Sequence, residues 1–335
     1  MAFGAAAGFL AALLLGIYVI YADMLSRVTF VDPDQPQPLL LVNLLEEDLG
    51  SPEDWVPDSF MQSGHLPEMI DDSIPRETEA AGSASGFQAV NVPMQQMPGV
   101  DNILIFGVDT HSYSGRADAI ILLSINHNTK TINIVSLMRA MYVRIGLANR
   151  EWGLLNAAYS YGGANLAVRT VERNFGIPIK GFAAVNFSSF PRIIDALGGV
   201  TITLTQREAD YMGMRPGTHR LDGKRALYYA RIRKIDSDFQ RNQRQRNIIN
   251  SILGEMASQG GTAAYKAATV ILANTYTNLD LNSYLLKAPS YLSYRRRQLQ
   301  LPASGEMAMR YVGGQEVWWF DMLKTHTRLV SFLTN

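Results

Sequence analysis

The sequence predicts an α/β protein: a three-layer α/β/α sandwich with a central mixed sheet, preceded by one transmembrane helix. Three observations carry this reading. From residue 101 onward, short branched apolar runs alternate with segments of helical pattern, the order expected of helices packed around one sheet. Residues 2–22, AFGAAAGFLAALLLGIYVIYA, hold no charged side chain. Between these parts, residues 32–99 are rich in Pro, Asp, Glu, Ser and Gly and build no core.

The amino-terminal segment comes first. As a helix its 21 residues rise about 30 Å, the thickness of a bilayer core. Tyr18 and Tyr21 suit a membrane interface. A cleaved signal peptide would need a basic start and small residues before the cut; neither is present, and "IYAD" is a poor site. Residues 1–24 are therefore expected to be a retained anchor. Residues 25–99 form an acidic, Pro/Ser-rich linker that is expected to be largely disordered. Its "DPDQPQP" stretch, residues 32–38, cannot continue a helix, and "GSASG", residues 82–86, is flexible. One apolar run, "PLLLVNLL", residues 38–45, could be a short helix or strand.

The folded domain, residues 100–335, opens with three strands, "NILIFGV" (102–108), "AIILLSIN" (119–126) and "TINIVSL" (131–137). A helix follows over 163–176, stopping at Gly176. Next come a strand over 180–187, a helix over 188–199 with a serine start and glycine stop, and a strand over 200–204. "DGKRALYYARI" and residues 238–258 read as helices, the second with Asp238 as a plausible N-cap. Two further helices are expected at 262–274 and 281–293. A last strand at 297–302 and a closing helix at 315–333 complete the chain.

Composition narrows the chemistry. The chain has no cysteine, which removes disulfides, thiolate catalysis and cysteine-ligated metals. Its zero net charge hides a split. Before residue 100 only Arg27 and Arg76 oppose 14 acids; since the chain holds 30 basic and 30 acidic residues, 28 and 16 remain beyond that point. A basic domain implies an anionic partner. There is no GxxxxGK[ST] loop, no GxGxxG after a strand, no HExxH and no GxSxG. His65, His111, His127, His219 and His326 show no ligand spacing.

In α/β sheets, ligands bind beyond the carboxyl ends of strands. The loop after the first strand offers Asp109, Arg116 and Asp118; the loop after the third offers Arg139 and, further on, Arg144. Carboxylates suit Mg²⁺ held together with phosphate, and arginine forks match phosphate oxygens. Ten basic residues then gather between Arg215 and Arg246, opposed only by Asp222, Asp236 and Asp238. On a helix from 238, Arg241 and Gln245 share a face. Arg244 and Arg246 turn from that face and are expected in solvent. Arg231 and Arg233 share a face if their segment is extended and diverge if it is helical. Such a concentration of cations points to a polyphosphate ligand or to nucleic acid. The membrane span counts against nucleic acid, which is expected not to bind.

These segments, in order "ILIFGVD", "GRADAIILLSIN", "INIVSLMR", "LNAAYSYGGANLAVRTVERNFGIPI", "FAAVNFSSFPRIIDALGGVTITL", "HRLDGKRALYYARIRK" and "DFQRNQRQRNII", resemble the LytR-CpsA-Psr family over roughly residues 101–255. The resemblance implies a Mg²⁺-dependent phosphotransferase anchored in the cell membrane, with its catalytic domain outside the cytoplasm. It would move a glycopolymer from a polyprenyl-pyrophosphate carrier to peptidoglycan. By the same resemblance, Asp109 and Asp118 would hold Mg²⁺. Arg116, Arg139, Arg231, Arg233, Arg241 and Gln245 would clamp the pyrophosphate. Phe182, Val185, Phe187, Phe190, Ile193, Ile194 and Leu197 would line a tunnel for the polyprenyl tail. One departure stands out: the family's Pro-Arg-Asp reads Met138-Arg139-Ala140. A non-catalytic binding regulator and a pyrophosphate hydrolase on the same carrier are the alternatives.

Overall fold

The computed structural model describes residues 29–30 and 91–335, except 149, 259–269, 272, 281–283, 285–286, 288–289 and 292. The expected anchor, the linker through residue 90 apart from Thr29–Phe30, and most of the two helices expected at 262–274 and 281–293 lie outside the described residues; Thr29–Phe30, expected in the linker, pair as a strand with Tyr276–Thr277. Among the described residues, no helix is long and apolar enough to cross a membrane.

The strands are β1 (Thr29–Phe30), β2 (Val100–Val108), β3 (Ala117–Asn126), β4 (Thr131–Leu137), β5 (Tyr142–Leu147), β6 (Arg150–Leu154), β7 (Gly181–Val185), β8 (Val200–Leu204), β9 (Gly217–Leu221), β10 (Tyr276–Thr277), β11 (Arg295–Leu301), β12 (Met307–Val312) and β13 (Gln315–Phe320). The helices are α1 (Leu155–Phe175), α2 (Ser189–Ala196), α3 (Gln206–Tyr211), α4 (Gly223–Arg231), α5 (Asp238–Ser258) and α6 (Met322–Thr334). Seven strands form the central sheet, in the order β1-β10-β7-β2-β3-β4-β11. It is mixed: β2 runs parallel to β7 and β4 to β11, while β3 is antiparallel to both β2 and β4.

Alternation along β4 shows why helices cover both faces. Val135 and Leu137 point into the main core with α1 and α6, at residues such as Leu166, Val171 and Leu329. Ile132 and Ile134 point the other way, to Ile249 and Leu253 of α5. A strand buried on both faces is largely apolar, and every residue of β4 is buried, with Thr131, Asn133 and Ser136 as its polar exceptions. A second core lies beside the sheet, where the β8–β9 ribbon packs with α2, α3, α4 and Ile248 of α5. The chain already touches the main core at Val92 and Met97, ahead of the boundary expected at residue 100.

Two expected elements come out differently. The helix expected from residue 163 begins at Leu155 and carries a kink at Gly162–Gly163, where Gly163 has φ of 64°. The apolar pattern restarts beyond that kink, which is why the earlier turns escaped notice. The helix expected over 315–333 is a strand, β13, followed by α6 from Met322. Val317, Trp318, Trp319 and Phe320 favour a pleated surface, and β13 pairs antiparallel with β12. Gly313 and Gly314 join them with φ of 57° and 79°, the paired left-handed conformation that tight hairpins need.

Helix α5 is held by a buried charge set. Arg244, expected in solvent, is 1% exposed. Its Nε donates to Glu208 Oε1 at 2.7 Å, Nη1 to the Ile232 carbonyl at 3.0 Å, and Nη2 to Asp236. Glu208 is itself fixed by a capping box with Thr205 at the start of α3. Arg246 is also buried rather than solvated. Its Nη1 donates to Ser136 Oγ at 2.8 Å, and Nη2 donates to Gln243 at 2.5 Å. The reason is helix phase: α5 is covered on both sides, so the residues flanking Arg241 meet the second core and the sheet instead of water. Removing one partner of a buried ion pair costs about 3 kcal/mol. Arg244→Ala is therefore expected to lower stability by about that amount in urea unfolding; a loss below about 1 kcal/mol would show that the charge set does not brace α5.

Candidate functional site

The carboxyl ends of β2, β4 and β7 and the start of β3 lie at one end of the sheet, as their pairing dictates. There a β-bulge adds one residue to β3. Gly107 pairs with Ala119 and Val108 with Ala117, so Asp118 is the extra residue. Bulges re-aim a side chain out of the regular alternation. Asp118 accordingly sits between two arginines: Arg139 Nη1 donates to its Oδ1 at 2.7 Å, and Arg233 donates to its Oδ2.

Arg139 reaches the site because its loop is fixed on both sides. Its carbonyl accepts from Asn156 N at 3.0 Å, the Ala140 carbonyl accepts from Trp318 N at 2.8 Å, and Met138 N donates to the Leu301 carbonyl at 3.0 Å. Arg233 reaches it because α4 ends at Arg231 and Ile232 turns extended, with its side chain buried. The segment is therefore split: Arg231 is helical and Arg233 is not. The guanidinium of Arg231 lies over the Phe187 ring, 4.3 Å from its centroid.

The first turn of α5 completes the cluster. Arg241 Nη2 pairs with Asp238 Oδ1 at 3.0 Å, and Asp238 Oδ2 lies 3.7 Å from Arg139 Nε. Asp238, read from the sequence only as a plausible N-cap, is thus a bridge between Arg139 and Arg241. Its signal was available: an acid three residues before Arg241 on a helix faces it. Arg241 is 2% exposed, and its Nε and Nη1 have no hydrogen-bond partner among the described residues. Burial pulls its pKa down to about 10; Asp238 works against that, while Arg139 and Arg233 add to it. For Arg139, burial also opposes the charge, but Asp118 and then Asp238 hold its guanidinium above the usual value.

The structure thus gathers Arg139, Arg233 and Arg241 around Asp118 and Asp238. Asp109 lies at the base of the same hairpin, its backbone N donating to the Arg116 carbonyl at 3.3 Å. Arg116 is exposed on that loop, and Gln245 is half-buried one turn beyond Arg241. Arg144, the other cation of the third-strand loop, pairs with Glu151 on the β5–β6 ribbon instead of joining the cluster.

The seven apolar candidates do not share one surface. Phe182 is in the main core, tilted against Phe106 at 6.3 Å and Tyr276 at 5.7 Å. Tyr276 in turn stacks on Tyr113 of the Asp109 loop at 5.2 Å. Phe190 and Ile194 belong to the second core. Ile193 and Leu197 are buried, and Val185 and Phe187 are half-buried. An open groove of about 630 Å³ lies elsewhere, lined by Arg297, Lys324, Arg328 and Phe332 among others.

Three arginines against two acids leave the cluster net positive, and the buried donors of Arg241 lack acceptors. An oxyanion supplies both a counter-charge and acceptor oxygens. As for a cation, among the described residues no three His, Asp or Glu side chains gather to hold a metal by themselves. Mg²⁺ needs only one or two carboxylates when phosphate supplies other ligands, and each Asp118 oxygen accepts one guanidinium, leaving a lone pair. The donor set therefore fits Mg²⁺ bound with a phosphate.

The LytR_cpsA_psr family matches the chain over residues 72–328. The chain is 36% identical over 215 residues to an Oceanobacillus iheyensis protein named polyisoprenyl-teichoic acid–peptidoglycan teichoic acid transferase TagU, covering 61% of this chain and 67% of that protein. It is 32% identical over 216 residues to Biofilm regulatory protein A of Streptococcus mutans, covering 58% of this chain and 53% of that one. The chain thus spans about half to two thirds of these relatives' length. Among solved structures, TagT with bound octaprenyl pyrophosphate lipid superposes with a TM-score of 0.56 at 25% identity, over 71% of this chain and 91% of that one.

A buried guanidinium with two orphan donors costs stability until an anion arrives. Arg241→Gln is expected to leave the melting temperature of the unliganded protein equal or higher. It should also abolish the stabilisation that added inorganic pyrophosphate gives the unsubstituted protein. Equal pyrophosphate stabilisation in both would show that Arg241 does not bind the anion.

Proposed function

The chain belongs to the LytR-CpsA-Psr family, and from that premise we propose that it transfers a glycopolymer from a polyprenyl-pyrophosphate carrier to peptidoglycan. The observation that carries this reading is the net-positive nest of Arg139, Arg233 and Arg241 with its orphan buried donors. It is matched to a diphosphate, the group at the head of the lipid bound in TagT. The name of the TagU relative supplies donor and acceptor classes that fit the same nest.

In the proposed reaction an acceptor hydroxyl attacks the phosphorus bonded to the glycan and releases its proton to water. The bond to the bridging oxygen breaks, and polyprenyl phosphate leaves with the electron pair. Arg139, Arg233 and Arg241 bind the phosphoryl oxygens and stabilise charge that moves onto the leaving phosphate. Arg231, seated on Phe187, guards the mouth of the cluster; Arg116 and Gln245 contribute from its rim. Asp118 and Asp238 space the arginines and hold their forks in the productive direction. Asp109 and Asp118 would hold Mg²⁺, which supplies further neutralisation of pyrophosphate charge. Val185 and Phe187, the half-buried members of the apolar set that lie outside both cores, would receive the polyprenyl tail beside Arg231. The domain would work outside the cytoplasm, tethered by residues 1–24.

Ala140 favours a second reading. An acid is absent beside Arg139, so the chain could bind the carrier as a regulator without turnover. Incubating the full chain in detergent with a lipid-linked glycan, a peptidoglycan oligomer and Mg²⁺ separates the readings. Product that forms only with peptidoglycan is the expected result. Free glycan phosphate without acceptor would indicate hydrolysis, and binding without chemistry would indicate a regulator. Arg233→Ala is expected to cut transfer at least a hundredfold, the usual cost of removing one preorganised charge donor. Asp118→Asn should both slow transfer and weaken its response to Mg²⁺; an unchanged metal response would remove Asp118 from that role.

A further inference from the structure

At the edge of the central sheet lies a cationic groove that the phosphate chemistry does not use. Among the described residues β11 is the last strand of the sheet, and α6 packs beside it on the main-core face. The groove between them, about 630 Å³, is lined by Arg297 and Leu299 of β11 and by Lys324, Thr327, Arg328 and Phe332 of α6 among others. The Arg297 guanidinium lies over the Phe332 ring, 4.3 Å from its centroid. Arg297 is half-buried, and none of its donors meets an acceptor among the described residues. Arg295, two residues earlier on the same strand face, is exposed. Across the groove Lys324 and Arg328 share one acid: Lys324 Nζ lies 3.1 Å and Arg328 Nη2 2.5 Å from Glu306 Oε1. Arg295, Arg297, Lys324 and Arg328 thus set four positive charges against Glu306.

The chemistry and spacing of these cations specify a ligand class. Alternate residues of a strand lie about 7 Å apart on one face, and residues one helical turn apart lie about 6 Å apart. Two walls with positive charge at such intervals suit a chain that carries one anion per repeat. Guanidinium forks match phosphate oxygens best. A flat anionic membrane would meet the exposed Lys324 and Arg328 and leave the half-buried Arg297 out of contact. Stacking on Phe332 accounts for where the Arg297 stem sits but not for its unmatched donors. The sheet stays polar beside it: Asn133 of β4, in register with Arg297, is fully buried with both amide atoms unpartnered among the described residues. Ser124 of β3 follows, its Oγ likewise unpartnered. Such a row suits water and phosphate better than an acyl chain. The groove also leads to the clamp. Leu301, four residues or about 13 Å along β11 from Arg297, accepts from Met138 N at 3.0 Å, and Arg139 comes next.

We propose that the groove between β11 and α6 is a track for a phosphate-bearing polymer, with Arg297, Arg295, Lys324 and Arg328 holding successive phosphates of the chain that is transferred. For its role the track rests on the transferase reading, but its binding is measured without any transfer. The probe is a lipid-free, fluorescently labelled polyol-phosphate oligomer, titrated into the full chain in detergent while anisotropy is followed. Inorganic pyrophosphate is held in excess so that Arg139, Arg233 and Arg241 are occupied. Saturable binding is expected, and it should be lost near 1 M salt, where screening acts within about 3 Å. Arg297→Gln should weaken the affinity about tenfold, or about 1.4 kcal/mol. Lys324→Gln, whose charge Glu306 already shares, should give a smaller loss; melting curves confirm that both variants are folded. An uncharged glycan oligomer should not bind. In the transfer assay, Arg297→Gln should raise the donor KM for a long phosphate-bearing polymer more than for a single neutral sugar. Oligomer affinity unaltered by both folded variants would overturn the proposal, and the patch would then be a contact for an anionic membrane. Binding abolished by pyrophosphate, or equal binding of the uncharged oligomer, would overturn it as well. If oligomer binding depends on Arg297 and no transfer is seen, the track stands and the transferase reading fails.

Discussion

A buried guanidinium must find an anion or pay for its absence, and α5 meets that demand in three different ways within six residues. Arg241, Arg244 and Arg246 are 2%, 1% and 5% exposed. Arg244 is matched by Glu208, Asp236 and a carbonyl, so it braces the helix. Arg246 meets only neutral acceptors, Ser136, Gln300 and Gln243, and ties the helix to the sheet. Arg241 has one acid and two donors left over. The first two hold the frame in which the third is aimed at a ligand.

That division explains why so many cations sit together in a chain of zero net charge. The cluster is stable without ligand because Asp118 and Asp238 interleave the arginines. It remains receptive because two acids do not cancel three guanidiniums. Each acid is placed by a local device: Asp118 by a bulge in β3 and Asp238 by the first turn of α5. Because the arginines are positioned by protein partners before substrate arrives, little reorganisation is left for the reaction, which is the condition under which electrostatic stabilisation is strongest.

The loop Met138–Met141 is the rigid support of this arrangement. It presents Arg139 to the cluster and is stitched by backbone hydrogen bonds to α1, β11 and β13. Substitution of its side chains therefore acts on a rigid frame, and Ala140 leaves the backbone path intact through its carbonyl. The loop continues directly into β5, whose Tyr142 stacks on Trp319 of β13, so the segment carrying Arg139 is held by side-chain packing as well as by the backbone.

By itself the sequence determined the alternating elements, the strand ends where chemistry would sit and the residue types that would do it. Apolar periodicity reports burial directly, and β2, β4, β8 and α5 appear within two residues of where the pattern placed them. Packing separated the arginines whose donors are matched inside the protein from Arg241, whose donors are not. Helix phase gives a residue's direction but not what lies there, and both flanks of α5 turned out to be covered. The same limit hid Asp238's second partner, since Arg139 lies 99 residues earlier. The run Val317–Phe320, expected in a helix, is a strand because Gly313–Gly314 folds β12 back to pair with it. Local pattern fixes what each segment buries; which distant segment it is buried against follows from how the whole chain packs.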